Sequence, residues 1–176
     1  MTIRTTRIPG MLVIEPAVVG DERGTFTELY QQRALAQHGW RGSFVRSALS
    51  FNRHRATLRG LHFQRSPFAD AKLVTCLRGR LFDVVADIRP DSPAFGQWEH
   101  VELSAENGVS VFLPEGVAHG FQTLADETTV LYHLGAYYER DASAGVRWDD
   151  PTLAVAWPLP PAVMSEQDRA WGALRP

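Results

Sequence analysis

Only one cysteine, Cys76, occurs among the 176 residues, so no intrachain disulfide can form. A reducing cytoplasm is the expected compartment. No stretch approaches the ~18 consecutive apolar residues of a membrane span. Met1 leads into Thr2-Ile3-Arg4 rather than a basic stretch followed by an apolar run, so neither a membrane segment nor an export signal is expected. Charge of one sign is lacking too. The 18 basic and 20 acidic residues leave a net charge of −2, which gives no global attraction to nucleic acid or an anionic membrane. Lysine is almost missing: Lys72 stands alone in a chain that otherwise uses arginine. Arginine offers a flat, permanently charged fork, whereas lysine is a compact donor whose pKa can be tuned, so Lys72 is singled out. None of the six histidines (38, 54, 62, 100, 119 and 133) lies two residues from another, so no His-x-His metal-ligand pair exists.

With 44% hydrophobic and 22% charged residues, the composition is that of an ordinary soluble globule. The length suits one domain over residues 1–176. There is no repeat, low-complexity tract or linker. Short apolar segments recur between turn signals, and several alternate with a period of two: 10–19, 42–52, 57–64, 72–77, 80–88, 96–103, 109–113, 120–124 and 128–134. Helical signals are confined to Gln31–Gln37, before Gly39, and to Ser165-Glu166-Gln167-Asp168, which has the form of a capping box. Nine or more short strands with scarcely any helix predict an all-β sandwich or barrel. Strict alternation places His62 on one face with Leu58, Gly60 and Gln64. It likewise groups Tyr132 with Val130 and Leu134, and Lys72 with Val74 and Cys76.

Pro114-Glu115-Gly116-Val117-Ala118-His119 has the Pro-x-Gly-x-x-His spacing of the second cupin motif. Where metal-binding cupins carry further ligands, Leu58-Arg59-Gly60-Leu61-His62-Phe63-Gln64 offers one histidine, so no metal and no cofactor are expected. A wider set of segments resembles one family. They are Asp21-Glu22-Arg23-Gly24 with Phe26 and Glu28, Leu58 to Gln64, Ala71-Lys72-Leu73-Val74, and Phe82-Asp83-Val84-Val85. Ser92-Pro93, Pro114 to Phe121, Tyr132 with Tyr138, and Arg147-Trp148-Asp149-Asp150-Pro151 follow in the same order. On these the chain is similar to the RmlC-type epimerases, whose best-known member is dTDP-4-dehydrorhamnose 3,5-epimerase.

The resemblance implies a cupin-type jelly-roll barrel and a nucleoside diphosphate 4-keto-6-deoxy sugar as substrate, dTDP-linked in the first instance. Protons are moved at C3 and C5, next to the C4 ketone. His62 matches the base, Asp168 the carboxylate that orients it, Tyr132 the acid across the ring, and Lys72 the cation near the C4 oxygen. Arg59 and His119 match residues near sugar and diphosphate, and Tyr138 matches a pocket aromatic at the sugar or base. Arg23, Phe26 and Glu28 match nucleotide contacts that come partly from a partner subunit, which implies a homodimer. At two family carboxamide positions this chain is read as having Ser47 and Leu49; Ser143 and Gln167 are further departures on the nucleotide side. Three alternatives stay open: inversion of C3 or C5 alone, a ketoisomerase of a modified deoxysugar, and a sugar-nucleotide-binding module without catalysis. A metal-dependent oxygenase is the weakest reading.

Overall fold

The computed structural model describes residues 1–175. Two sheets face each other. The larger, six strands wide, runs β1 (Thr2–Thr5), β2 (Leu12–Glu15), β10 (Ser110–Leu113), β7 (Lys72–Arg78), β12 (Thr128–Leu134) and β5 (Arg46–Asn52). The smaller, five strands wide, runs β13 (Ser143–Gly145), β6 (Leu58–Gln64), β11 (Val117–Thr123), β8 (Arg80–Asp87) and β9 (Trp98–Ser104). A separate hairpin, β3 (Val18–Asp21) with β4 (Gly24–Thr27), completes the strands. Two short helices are present, α1 (Gln32–Gln37) and α2 (Glu166–Ala170). This is the expected all-β jelly roll.

The period-two segments become strands because alternate side chains meet two different apolar environments. Between the sheets, Val74, Cys76 and Val130 of the larger pack against Leu81, Val85 and Phe121 of the smaller, closing one end of the barrel. The outward residues of β8, Val84 and Ala86, are covered by the C-terminal segment through Leu153, Val155 and Trp157. Leu12, Ile14, Leu73 and Phe112 lie under Leu35 of α1 and the rings of Tyr30, Trp40 and Phe44. Full burial of a side chain such as Phe112 or Phe121 stabilises the fold by about 1.5–3 kcal/mol.

The boundaries depart from expectation at several points. Segment 10–19 splits at Pro16 into β2 and β3, because proline has no N–H to continue a ladder. β11 begins at Val117, three residues before the predicted start. β1, β4 and β13 are three or four residues long, too short for a periodic signal.

The face predicted for β6 is corrected. Against β11 the register pairs His62 with His119 and Arg59 with Phe121, so three steps on β6 match two on its neighbour. That extra residue is a bulge, and it reverses the alternation between Arg59 and His62. Gly60 makes it possible. Its φ is +120°, and a Cβ there would lie 2.5 Å from the Gly120 Cα. Arg59 and His62 therefore both face the barrel's open end, while Leu58 is buried in the core.

Candidate active site

The open end of the barrel is a cavity of about 500 Å³. The smaller sheet contributes Arg59, His62, Gln64 and His119; the larger contributes Lys72, Tyr132 and the inward residues of β5. Tyr138, Ser143 and Gln167 stand at the mouth.

His62 is half-exposed and its Nε2 hydrogen-bonds Asp168, whose carboxylate is buried. In the neutral imidazole this puts the proton on Nε2, and Nδ1 is left without a hydrogen-bond partner among the described residues. Asp168 belongs to α2, where the Ser165 side chain caps the helix by accepting from the Asp168 N–H at 3.0 Å. Because the serine takes the capping duty, the aspartate side chain is free to turn toward His62. Burial alone would raise the Asp168 carboxyl. The hydrogen bond and charge of His62, together with smaller contributions from Ser165 and Trp171, outweigh it and hold the group below the usual carboxylate range.

Across the cavity, burial, helped by the Asp83 charge, pushes the Tyr132 phenol well above its ordinary value, against an opposing pull from Arg59. Tyr132 thus stays protonated. Burial lowers the Lys72 ammonium from the usual lysine value. Asp70 at 3.8 Å opposes this, and Arg46 reinforces it. Arg59 donates from Nε to Asn52 Oδ1 at 2.7 Å. Gln64 fixes the mouth: it donates to the carbonyls of Phe68 (2.8 Å) and Tyr137 (3.1 Å) and accepts from the Glu139 N–H (2.7 Å), which anchors the turn bearing Tyr138.

Five expected residues lie elsewhere. Ser47 and Leu49 are on the outer face of β5, and the residues of that strand that reach the cavity are Arg46, Ala48 and Ser50. The reason is parity, since a shift of one position along a strand moves a side chain to the opposite face. Ser47 spends its hydroxyl on His133 Nδ1 at 2.8 Å, and Leu49 is 65% exposed. Arg23, Phe26 and Glu28 belong to the β3–β4 hairpin and the turn after it, outside this chain's own cavity. Arg23 is held by Asp21 and Glu28 by Gln31, while the Phe26 ring is 73% exposed.

Sequence reasoning gave no role to Asp83, Asp70 or Arg46. Asp83 had a readable signal, an acidic residue on the apolar face formed by Leu81 and Val85.

An imidazole backed by a carboxylate, facing a protonated phenol and an ammonium inside a cupin-type barrel, defines an acid–base isomerase site. The sequence relationships agree. The dTDP-4-dehydrorhamnose 3,5-epimerase family model matches residues 5–176. The chain is 41% identical to the dTDP-4-dehydrorhamnose 3,5-epimerase of Shigella flexneri, over 96% of this chain and 93% of that one. It superposes with a TM-score of 0.94 and 40% identity on the Bacillus anthracis enzyme solved with TDP and pyrophosphate, covering 98% and 99% of the two chains. Against the Legionella pneumophila enzyme in complex with dTDP-4-keto-L-rhamnose the TM-score is 0.92 at 40% identity, over 98% and 92%. The chain belongs to the dTDP-4-dehydrorhamnose 3,5-epimerase family.

Proposed function

We propose that the protein, acting as one domain, epimerises the sugar of a dTDP-linked 4-keto-6-deoxyhexose. The C4 ketone acidifies the C–H bonds at C3 and C5. His62 removes a proton through Nδ1, and the resulting imidazolium is stabilised by Asp168. Lys72, in a partly dehydrated setting, compensates the negative charge that moves onto the C4 oxygen. Tyr132, kept protonated by burial, delivers a proton to the opposite face of the carbon. Arg59, with its forked donor, holds the diphosphate, and His119 and Tyr138 contact the sugar end.

The observation that carries this reading is placement. His62 on β6 and Tyr132 on β12 come from opposite sheets into one cavity, with Lys72 beside the tyrosine strand on β7. A planar enolate between them is approached from both sides.

The hairpin residues Arg23, Phe26 and Glu28 are assigned to the nucleotide bound by a partner subunit. Val18, Val19 and Phe26 are large apolar side chains at 58–73% exposure on that hairpin, a surface that a homodimer would cover. The reaction is placed in the cytoplasm.

The test is incubation with dTDP-4-keto-6-deoxyglucose in deuterated water. Deuterium at C3, C5 or both, with inversion, is expected, and the pattern counts the centres inverted. Full retention of protium at both carbons would refute the reading.

A further inference from the structure

Asp83 is a charged group that this scheme leaves unused. It sits in the middle of β8 between Leu81 and Val85, on the face directed into the barrel, and its side chain has no solvent exposure. Oδ2 accepts from His119 Nε2 at 2.9 Å, whereas Oδ1 has no hydrogen-bond partner among the described residues. A buried carboxylate with an unfilled oxygen does not favour folding, so another reason for its presence is needed.

Its surroundings supply one. Asp83 is faced by His119 and Phe121 from β11, Val101 from β9, Lys72 and Cys76 from β7, and Tyr132 from β12. His119 is the only one of these that hydrogen-bonds it among the described residues. His119 also lies directly opposite His62 in the β6–β11 register, and its ring centroid is 6.0 Å from that of Tyr132, edge to face. It therefore stands between the group that ends an inversion with an extra proton and the group that ends it one proton short. Both rings line the same cavity, where a bridging water can join polar groups too far apart for a direct hydrogen bond.

Resting on the epimerase reading above, we propose that the His119–Asp83 pair is a proton relay that reprotonates Tyr132 after each inversion. When Tyr132 forms the new C–H bond, its O–H bond breaks and a phenolate remains. The His119 Nδ1–H bond then breaks, directly or across one water, and the Tyr132 O–H bond forms again. The Nε2–H proton stays on its hydrogen bond to Asp83 Oδ2 throughout, which leaves Nδ1 as the nitrogen free to shuttle. Nδ1 is refilled from solvent at the cavity mouth, and His62, half-exposed there, releases its extra proton to the same solvent. No proton is created or lost. Asp83 acts through His119, as a positioning residue.

The experiment compares the native protein with Asp83→Asn, and with His119→Gln in case the buried Asp83 change impairs folding; circular dichroism checks both. With enzyme in excess over dTDP-4-keto-6-deoxyglucose in deuterated water, the first C–H exchange needs no relay. It should stay within about threefold of native in Asp83→Asn. Steady-state kcat should fall on the order of 10²-fold with KM little changed, and added imidazole buffer should restore much of the loss. His119→Gln should show the same drop and the same rescue. A first exchange that falls in step with kcat, a rise in KM with kcat intact, or absence of rescue would each overturn the relay. Native protein that exchanges no deuterium would overturn the epimerase reading itself. Native exchange combined with unimpaired turnover in Asp83→Asn removes the relay alone.

Discussion

His62 and Asp168 are 106 positions apart in sequence and hydrogen-bonded in the fold, with the carboxylate buried and the imidazole open to the cavity. The pairing couples a strand of the barrel to a five-residue helix outside it. Asp168→Asn should therefore lower kcat by a factor on the order of 10²–10⁴ without unfolding the protein, and His62→Ala by a similar factor. Initial rates with a 4-keto sugar nucleotide, alongside thermal melts, check both. An Asp168→Asn enzyme of native kcat would detach the carboxylate from the chemistry.

The same pair has a signature in stability. The Asp168 carboxyl is held below its unfolded value of ~3.9. A depressed carboxyl contributes stability that is fully present above the unfolded value and is lost as pH falls through the lower, folded one. Melting temperatures of the native and Asp168→Asn proteins should differ at pH 6–7 and converge below about pH 4. A gap that stayed constant down to pH 2 would show that the carboxylate's charge is not involved.

Tyr132→Phe removes the hydroxyl and leaves a ring of nearly the same shape in a partly buried position. Proton abstraction by His62 should survive, so solvent deuterium should still enter the substrate, while inversion falls on the order of 10². Lys72→Met should depress exchange and inversion together, because both pass through the same enolate. Nuclear magnetic resonance of recovered substrate and product separates the two patterns. Equal loss of exchange and inversion in Tyr132→Phe would move the tyrosine from proton delivery to binding.

Cys76 lies deep on the face of β7 that also carries Lys72, and burial pushes its thiol up to about 11. At pH 8 roughly one thiol in a thousand is then ionised, and none is exposed to reagent. Labelling by a disulfide reagent should be negligible on the native protein and complete after denaturation. Rapid labelling of the native form would mean that the barrel's closed end opens.

Much of the fold was legible because alternation is a local signal. β7, β8 and β12 bury one side between the sheets and the other under covering segments, and both demands are written in consecutive residues. What escaped was decided at a distance. The bulge in β6 follows from how closely Gly60 approaches Gly120 on a neighbouring strand, and one sequence contains no mark of that approach. The same parity problem misplaced Ser47 and Leu49, since β5 turns Arg46, Ala48 and Ser50 inward. At the site, His62, Lys72, Tyr132, Arg59 and His119 were singled out through the resemblance to the epimerase family, and all five line one cavity. Asp83 was passed over because its task depends on a histidine 36 positions later in the chain.

Gly60 itself offers a direct check. Alanine there would combine an unfavourable positive φ with a backbone collision, so Gly60→Ala should destabilise the fold by more than the ~1–3 kcal/mol of backbone strain alone. Chemical denaturation would measure it. A variant as stable as native would mean that the two strands can move apart.

A regular strand offers a given face only even-numbered spacings, about 7 Å or about 13 Å between side chains. The inserted residue in β6 gives this chain an odd one, three positions from Arg59 to His62. The strand thereby works as a ruler between the Arg59 guanidinium and the His62 imidazole, three residues long yet fitted to the two-residue step, roughly 7 Å, from His119 to Phe121 on its neighbour. Which carbon of a bound molecule meets that imidazole is then a matter of length, set by counting residues along one strand.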